Sequence, residues 1–415
     1  MSATSHRLEP LPGRHRAGLL IVLILGSLTA LGPVTIDLYL PALPQVGRSL
    51  AARPVSVQLT VTAFLIGVAV GQLIVGPLSD TLGRRRPLLA GLGGFVLVSA
   101  ACVVAPNAEV LIGLRLAQGL VAAAGVVIAR AVVRDLFDGL AAARVFSSLM
   151  LVSGAAPILA PVLGAQLLRL TSWRGVFGVL CALGLIILVA TAALVRESLP
   201  PARRRRGGLT GTVRAMRDLL GDAAFTGYLL AGSLGFAALF AYISGSSYAL
   251  QEVYGASPQT YSLLFAVNSV GLIAVSQLTG KVLLGRYRSH LVLGVGLALL
   301  VCAGLLLTVL VTVVHAGLPG TAVALLLVAC PVGLILPTTT ALCLQRAPHT
   351  AGSASALVGA AQYLMSSLAP ALAGLGDQST ARPMAVTVVG LALAATVCFT
   401  ALCRPWRRVP DPLRR

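Results

Sequence analysis

Asp37 and Arg115 are ionisable side chains standing inside stretches of sequence that are otherwise apolar, and no other charged residue of the chain is placed so deeply within such a stretch. A charge in hydrocarbon costs roughly 2.5–3.5 kcal/mol or more, so an ionisable residue there marks a functional position by default. A carboxyl can carry a proton, and a carboxyl beside a guanidinium can also lock two segments together as an ion pair. Asp37 lies four residues before Pro41, and Arg115 lies about seven residues into its own apolar stretch. At 1.5 Å per helical residue their depths differ by only a few ångströms, so an Asp37–Arg115 pair is expected.

Other polar side chains in apolar stretches are candidates to line a cavity: Tyr39 beside Asp37, then Gln118, Tyr242, Asn268, Gln362 and Tyr363. Packing between helices explains any one of them equally well. Glu109, Asp222, Glu252 and Asp377 stand at the ends of apolar runs and read as solvated. The seven cysteines form neither CxxC nor a metal-ligand spacing and read as small core residues. Paired acids at loop spacing, a metal cluster and the phosphate-cradling pattern GxxxxGK[ST] are all missing. The chain is therefore not expected to be an enzyme or an ATP-driven machine, and neither cofactor nor metal is implied. Work done by it must draw on an ion gradient or on a solute's own gradient.

The elements that hold these residues are membrane-spanning helices. Mean hydropathy is +0.93 and only 10% of residues are charged, against about 25% in soluble domains. Runs free of Asp, Glu, Lys and Arg occupy 17–36, 54–79, 87–108, 145–168, 175–195, 223–251, 253–280, 289–345, 347–376 and 383–403. The run 289–345 is too long for one crossing of about 20 residues, and His315-Ala-Gly-Leu-Pro-Gly320 divides it. A further crossing over 109–130 is interrupted only by Arg115. The reading is twelve crossings, each helical because lipid leaves backbone polar groups no other partner.

Twenty-five of the 31 basic residues fall on the side of the N-terminus and five on the other, with Arg115 inside a helix. By the positive-inside rule both termini are cytoplasmic. The same distribution accounts for the net charge of +19 without a nucleic-acid partner, because the arginines sit on short loops and no basic domain exists to carry them. The one long polar segment, around 196–218, is rich in proline, glycine and arginine and reads as a flexible linker. It divides the chain into a tail at 1–16, a six-helix bundle at 17–196, a linker at 197–221, a second six-helix bundle at 222–403 and a tail at 404–415. Two such halves put a binding site at the midplane between them.

The loop GPLSDTLGRRRP, 76–87, has its own logic. Gly76 and Gly83 permit close approach and a tight turn, Asp80 sets a carboxylate at the membrane boundary, and Arg84 with the two following arginines anchors the loop. A carboxylate there can meet the positive N-terminus of a neighbouring helix for about 0.3–1 kcal/mol, enough to bias two balanced conformations. The corresponding loop of the second half carries Gly285-Arg286 but Val282 where Asp80 stands, so the internal repeat is weak.

This loop resembles the signature loop of the major facilitator superfamily. VTIDLYLPALP at 34–44 is similar to the first-helix signature of its bicyclomycin/chloramphenicol resistance branch, Bcr/CflA, and Arg115-Leu-Ala-Gln-Gly119 resembles the helix-4 motif. Ala156 to Gly164, containing Pro157, Pro161 and Gly164, is similar to the antiporter motif of helix 5, with Ala160 and Ala165 where glycines are common. The resemblance implies an all-α membrane protein of the major facilitator fold in a bacterial inner membrane, working as a monomer in the lipid bilayer. It implies export of a small, largely apolar drug of the chloramphenicol or bicyclomycin type in exchange for protons. It further implies that Asp37 with Arg115 couples the proton and that Gly76, Asp80, Gly83 and Arg84 form a conformational switch. A transporter of an endogenous metabolite is the alternative within the same class. A membrane sensor or scaffold would carry an appended soluble domain, for which the chain has no segment.

Overall fold

The computed structural model describes residues 12–137, 139–204, 208–348, 350–374 and 380–403. Residues 1–11 and 404–415 of the expected tails, Arg205 and Arg206 of the linker, and Asp377 lie outside the described residues. Among the described residues twelve helices are long and apolar enough to cross a membrane. They are α1 Pro12–Asp37, α2 Pro54–Leu82, α3 Arg85–Val103, α4 Ala108–Leu136, α5 Gly139–Leu170 and α6 Trp173–Leu194 in one half. The other half holds α7 Ala223–Tyr248, α8 Pro258–Leu278, α9 Ser289–Val309, α10 Gly317–Gln345, α11 Ala351–Gly374 and α12 Arg382–Cys403. An even number of crossings returns the chain to the side on which it began. That side is called the terminal end below, and the opposite side the far end.

Helices in lipid gain nothing from hiding apolar side chains from one another, so they associate where small residues let backbones approach. α2 meets α4 in this way: a Cβ placed on Gly119 would lie 2.1 Å from the carbonyl oxygen of Phe64. Large apolar residues such as Leu97, Leu151 and Ile186 instead stay exposed on the outer surface, where the lipid is. The halves touch along two seams, α2 against α11 and α5 against α8.

Two sequence expectations need correction, and a third holds. The linker is not wholly irregular: Gly208–Gly221 forms a helix, with Arg214 and Arg217 exposed while Met216 and Leu219 are half-buried on the face turned to the bundle. A one-sided apolar stripe of this kind stabilises a helix that composition alone marks as a loop. α4 runs on to Leu136, so Arg130 and Arg134 lie on the helix and not in a loop. The division of the long apolar run falls where expected: α9 ends in a π-helical turn at Leu310–Val314, His315 and Gly317 adopt φ of 51° and 63°, and α10 begins.

Candidate functional site

α1 ends at Asp37 because two prolines follow closely, and the chain turns through Leu40–Ala42 into a short helix, Leu43–Ser49. Pro44 has no N–H to return to the carbonyl of Leu40. That carbonyl accepts a 2.7 Å hydrogen bond from the Ser247 hydroxyl of α7, in the other half. Gln251 reaches the Pro41 carbonyl at 3.4 Å, Gln259 the Ala165 carbonyl at 3.0 Å, and Arg48 pairs with Glu252. Through these contacts the two halves are joined at the far end.

Below this seal lies a cavity of about 140 Å³ between the halves. Asp37, only 6% exposed, is its single ionisable acid, alongside Pro33 and Ile36 of α1 and Pro157 of α5. α7 and α8 supply Phe236, Phe240, Tyr242, Phe265 and Asn268, and α11 supplies Tyr363. Asn268 donates to the Tyr242 hydroxyl at 2.9 Å, and the Tyr242 and Phe265 rings stack with centroids 6.0 Å apart. The Asp37 carboxyl makes no hydrogen bond or ion pair with a described residue. The walls thus suit a mainly apolar, aromatic ligand, with one carboxyl and one Tyr–Asn pair as polar fixtures.

Gly164 of α5 sets the end of α1 in place. A Cβ there would lie 2.3 Å from the Leu38 carbonyl oxygen, so only glycine lets α5 meet the backbone next to Asp37. Pro161, buried two helical turns from the end of α5, also leaves the carbonyl of Pro157 without an intrahelical donor.

Arg115 is not the partner of Asp37. It is fully buried inside the first half, with its guanidinium 4.3 Å from the Phe64 ring centroid, 4.9 Å from Tyr39 and 5.7 Å from Phe177. Its Nη1 donates to Gln118 Oε1 at 2.6 Å, and Gln118 Nε2 donates to Ser99 at 2.8 Å. Tyr39 lies two residues past the end of α1 with its backbone still near helical angles, which turns it by about 200° from Asp37. When Asp37 faces the cavity, Tyr39 therefore faces the opposite way, over Arg115, and depth alone did not reveal this.

Of the expected cavity residues, Tyr242, Asn268 and Tyr363 line the cavity as anticipated. Tyr39 and Gln118 do not: Tyr39 is enclosed beneath Arg115 with its hydroxyl 3.0 Å from Thr60, and Gln118 is spent on Arg115. Gln362 is half-buried on α11 and lines neither this cavity nor the larger one at the terminal end.

At the terminal end Gly83 turns the chain with φ of 90°. Asp80 does not sit on a neighbouring helix terminus. It accepts from Arg84 Nη1 at 2.5 Å, while Arg84 Nε donates to Asp135 of α4 at 2.9 Å and Nη1 to Ser79 at 2.7 Å. Burial works against the Arg84 charge, but the carboxylates of Asp135 and Asp80 outweigh it and hold the guanidinium above its usual pKa. Glu197, past the end of α6, accepts from the backbone N–H groups of Arg84 at 2.8 Å and Arg85 at 3.2 Å. Partial burial alone would raise its pKa; these donors, with Leu199 N–H and the Arg204 guanidinium, lower it.

Asp135 and Glu197 escaped the sequence reading. The available signal was that both are acids at the terminal ends of helices whose neighbours there carry the arginines of the loop. Gly76 lies with Asp80 and Arg84 on the wall of a second cavity, of about 480 Å³, open between the halves at this end.

Residues 23–370 match the family model of the Major Facilitator Superfamily. An uncharacterized MFS-type transporter, YdgK of Bacillus subtilis, is 36% identical over 394 residues, covering 93% of this chain and 96% of that protein. A bicyclomycin resistance protein homolog of Haemophilus influenzae is 27% identical over 93% of this chain and 96% of its own, and a chloramphenicol resistance protein of Pseudomonas aeruginosa 31% identical over 69% and 68%. Among solved structures, a bacterial homolog of the human lysosomal transporter Spinster superposes with a TM-score of 0.75 at 16% identity, over 97% of this chain and 100% of that one, which shows the shared fold. Family match, relatives and fold agree: the chain is a multi-pass membrane transporter belonging to the Major Facilitator Superfamily, within its Bcr/CflA branch.

Proposed function

We propose that this protein is a proton-coupled exporter of small, largely apolar compounds of the chloramphenicol or bicyclomycin type, working by alternating access in a bacterial inner membrane with both termini cytoplasmic. The observation that carries this reading is the placement of Asp37. Among the described residues it is the only acid on the wall of the central cavity and has no counterion, and it stands among aromatic groups contributed mostly by the other half. A proton taken up by Asp37 removes the one charge that the cavity must otherwise desolvate, which favours closing the halves around it. Losing that proton restores an ion that needs water or a bound ligand beside it. Proton and ligand thus compete for the same state of one carboxyl, which is the requirement for exchange.

With the termini cytoplasmic, the contacts from Ser247, Gln251 and Gln259 close the outer side while the larger cavity opens inward. No cofactor enters this scheme, and one chain contains the whole pathway. Two of the relatives are named for resistance to bicyclomycin and chloramphenicol, which supports that substrate class. The test is efflux of chloramphenicol from proteoliposomes under an imposed pH gradient: transport that follows the gradient and collapses with a protonophore supports the reading, and transport indifferent to both overturns it.

A further inference from the structure

The cavity at the terminal end is lined on one side by three arginines of the first half, Arg84, Arg130 and Arg134. Arg84 is committed to Asp80 and Asp135. Arg130 and Arg134 are not committed: both are exposed, and neither makes a hydrogen bond or ion pair with a described residue. They stand one turn apart on α4, so their guanidinium groups reach the same space. Among the described residues the only carboxylate on the wall is Asp80, already held by Arg84. Among the described residues, two guanidinium charges thus remain unbalanced in an opening larger than the Asp37 cavity.

The opposite wall is the first turn of α11, Gly352 to Ala356 in the second half, which brings backbone N–H groups and the Ser353 and Ser355 hydroxyls. Arg134 already reaches towards it: its Nη1 lies 3.8 Å from where a Cβ on Gly352 would be. Beside these polar groups Leu73, Val127 and Phe146 form an apolar flank.

We propose that Arg130 and Arg134 form a binding site for an anionic head, a carboxylate or a phosphate ester, carried on an apolar body. A guanidinium binds such a group through charge-assisted, often paired hydrogen bonds. Bound there, the head contacts α4 of one half and α11 of the other, so the ligand is held only while both walls stand as they do here. Asp37 is not on the wall of this cavity, and the site takes an anion where the transport reading takes an uncharged drug. A soluble aromatic acid and an anionic phospholipid share this chemistry, and the experiment separates them.

The purified full chain in an uncharged maltoside detergent is titrated calorimetrically with 3-phenylpropionate and with its amide, without any gradient, so the outcome does not depend on proton-coupled export. The acid is expected to bind at least about tenfold more tightly than the amide. Arg130→Gln and Arg134→Gln should each weaken the acid by about tenfold and leave the amide unchanged. Raising salt should weaken the acid on the wild-type chain, which keeps the test valid should a variant fold poorly. In the second arm, nanodiscs of dioleoylphosphatidylcholine with and without dioleoylphosphatidylglycerol are compared by native mass spectrometry of the released protein. Phosphatidylglycerol retained by the wild type and lost in both variants, with no binding of the acid, assigns the site to a lipid headgroup. Acid and amide binding alike, together with lipid retention indifferent to both arginines, overturns the proposal.

Discussion

The Ser269 hydroxyl of α8 lies 3.3 Å from the carbonyl oxygen of Pro157 on α5, across the seam between the halves. The carbonyl is available because Pro161, four residues on, has no N–H to give it. The same hydroxyl also donates to Phe265 within its own helix at 2.9 Å, so the cross-seam contact is shared and weak enough to break during a conformational cycle. The prolines of the helix-5 motif thus act by exposing an acceptor at the interface.

Ser269→Ala removes that donor without changing the cavity volume much. A neutral hydrogen bond contributes about 0.5–1.5 kcal/mol, so the balance between the two access states should shift by roughly two- to tenfold. Cysteine accessibility from the two membrane faces measures the ratio. An unchanged ratio would assign the contact to packing alone.

Asp37→Asn should abolish gradient-driven efflux and preserve binding of the uncharged substrate, because asparagine keeps the shape of the cavity wall and cannot exchange a proton. Equilibrium binding in detergent beside transport in proteoliposomes separates the two. Uphill transport at the wild-type rate would remove Asp37 from coupling.

Arg115→Gln should act on stability and leave coupling indirectly affected at most. The guanidinium rests on three aromatic faces inside one half, each stack contributing about 0.5–2 kcal/mol. A lowered melting temperature, with the pH profile of substrate binding unmoved, is the expected result. A displaced pH profile would show that Arg115 is felt by Asp37 in another state of the cycle.

Among the far-end contacts, Ser247→Ala should open the outer side more readily than Glu252→Gln. Ser247 is buried and gives the Leu40 carbonyl, which also accepts from the Leu43 N–H, a second donor from the other half, whereas the Arg48–Glu252 pair is exposed. Exposed pairs contribute about 0–1 kcal/mol and fade with salt. Solvent accessibility of a cysteine at the outer mouth should therefore rise more in Ser247→Ala; the reverse order would make the ion pair the principal latch.

Glu197→Gln should loosen the terminal-end loop. The carboxylate has a lowered pKa in the folded chain, so its contribution is fully present above its ordinary pKa and is lost as pH falls through the folded value. At neutral pH the variant should lose about 1 kcal/mol, kept small because the group is largely exposed. Its melting temperature should change less than the wild type's between pH 6 and about pH 4. Parallel curves would exclude Glu197 as the titrating group.

The twelve crossings and the positions of the proline and glycine motifs were legible in the sequence, because each is a local property. Hydropathy over about 20 residues decides a span, a proline decides which carbonyl is left free, and the run from His315 to Gly320 ends one helix and begins another. Depth along a helix was legible too, but not direction around its axis. In a lipid-embedded bundle the faces towards lipid and towards protein are both apolar, so periodicity says little about which residues meet. Only the tertiary structure turned Asp37 into the cavity and Tyr39 onto Arg115, dissolving a pair that depth alone suggested. It also brought Asp135 and Glu197, more than 50 residues away in the chain, onto Arg84 and its backbone. The linker helix and the free arginines of α4 belong to the same class, since what a charged side chain does at a helix end depends on which neighbours packing places beside it.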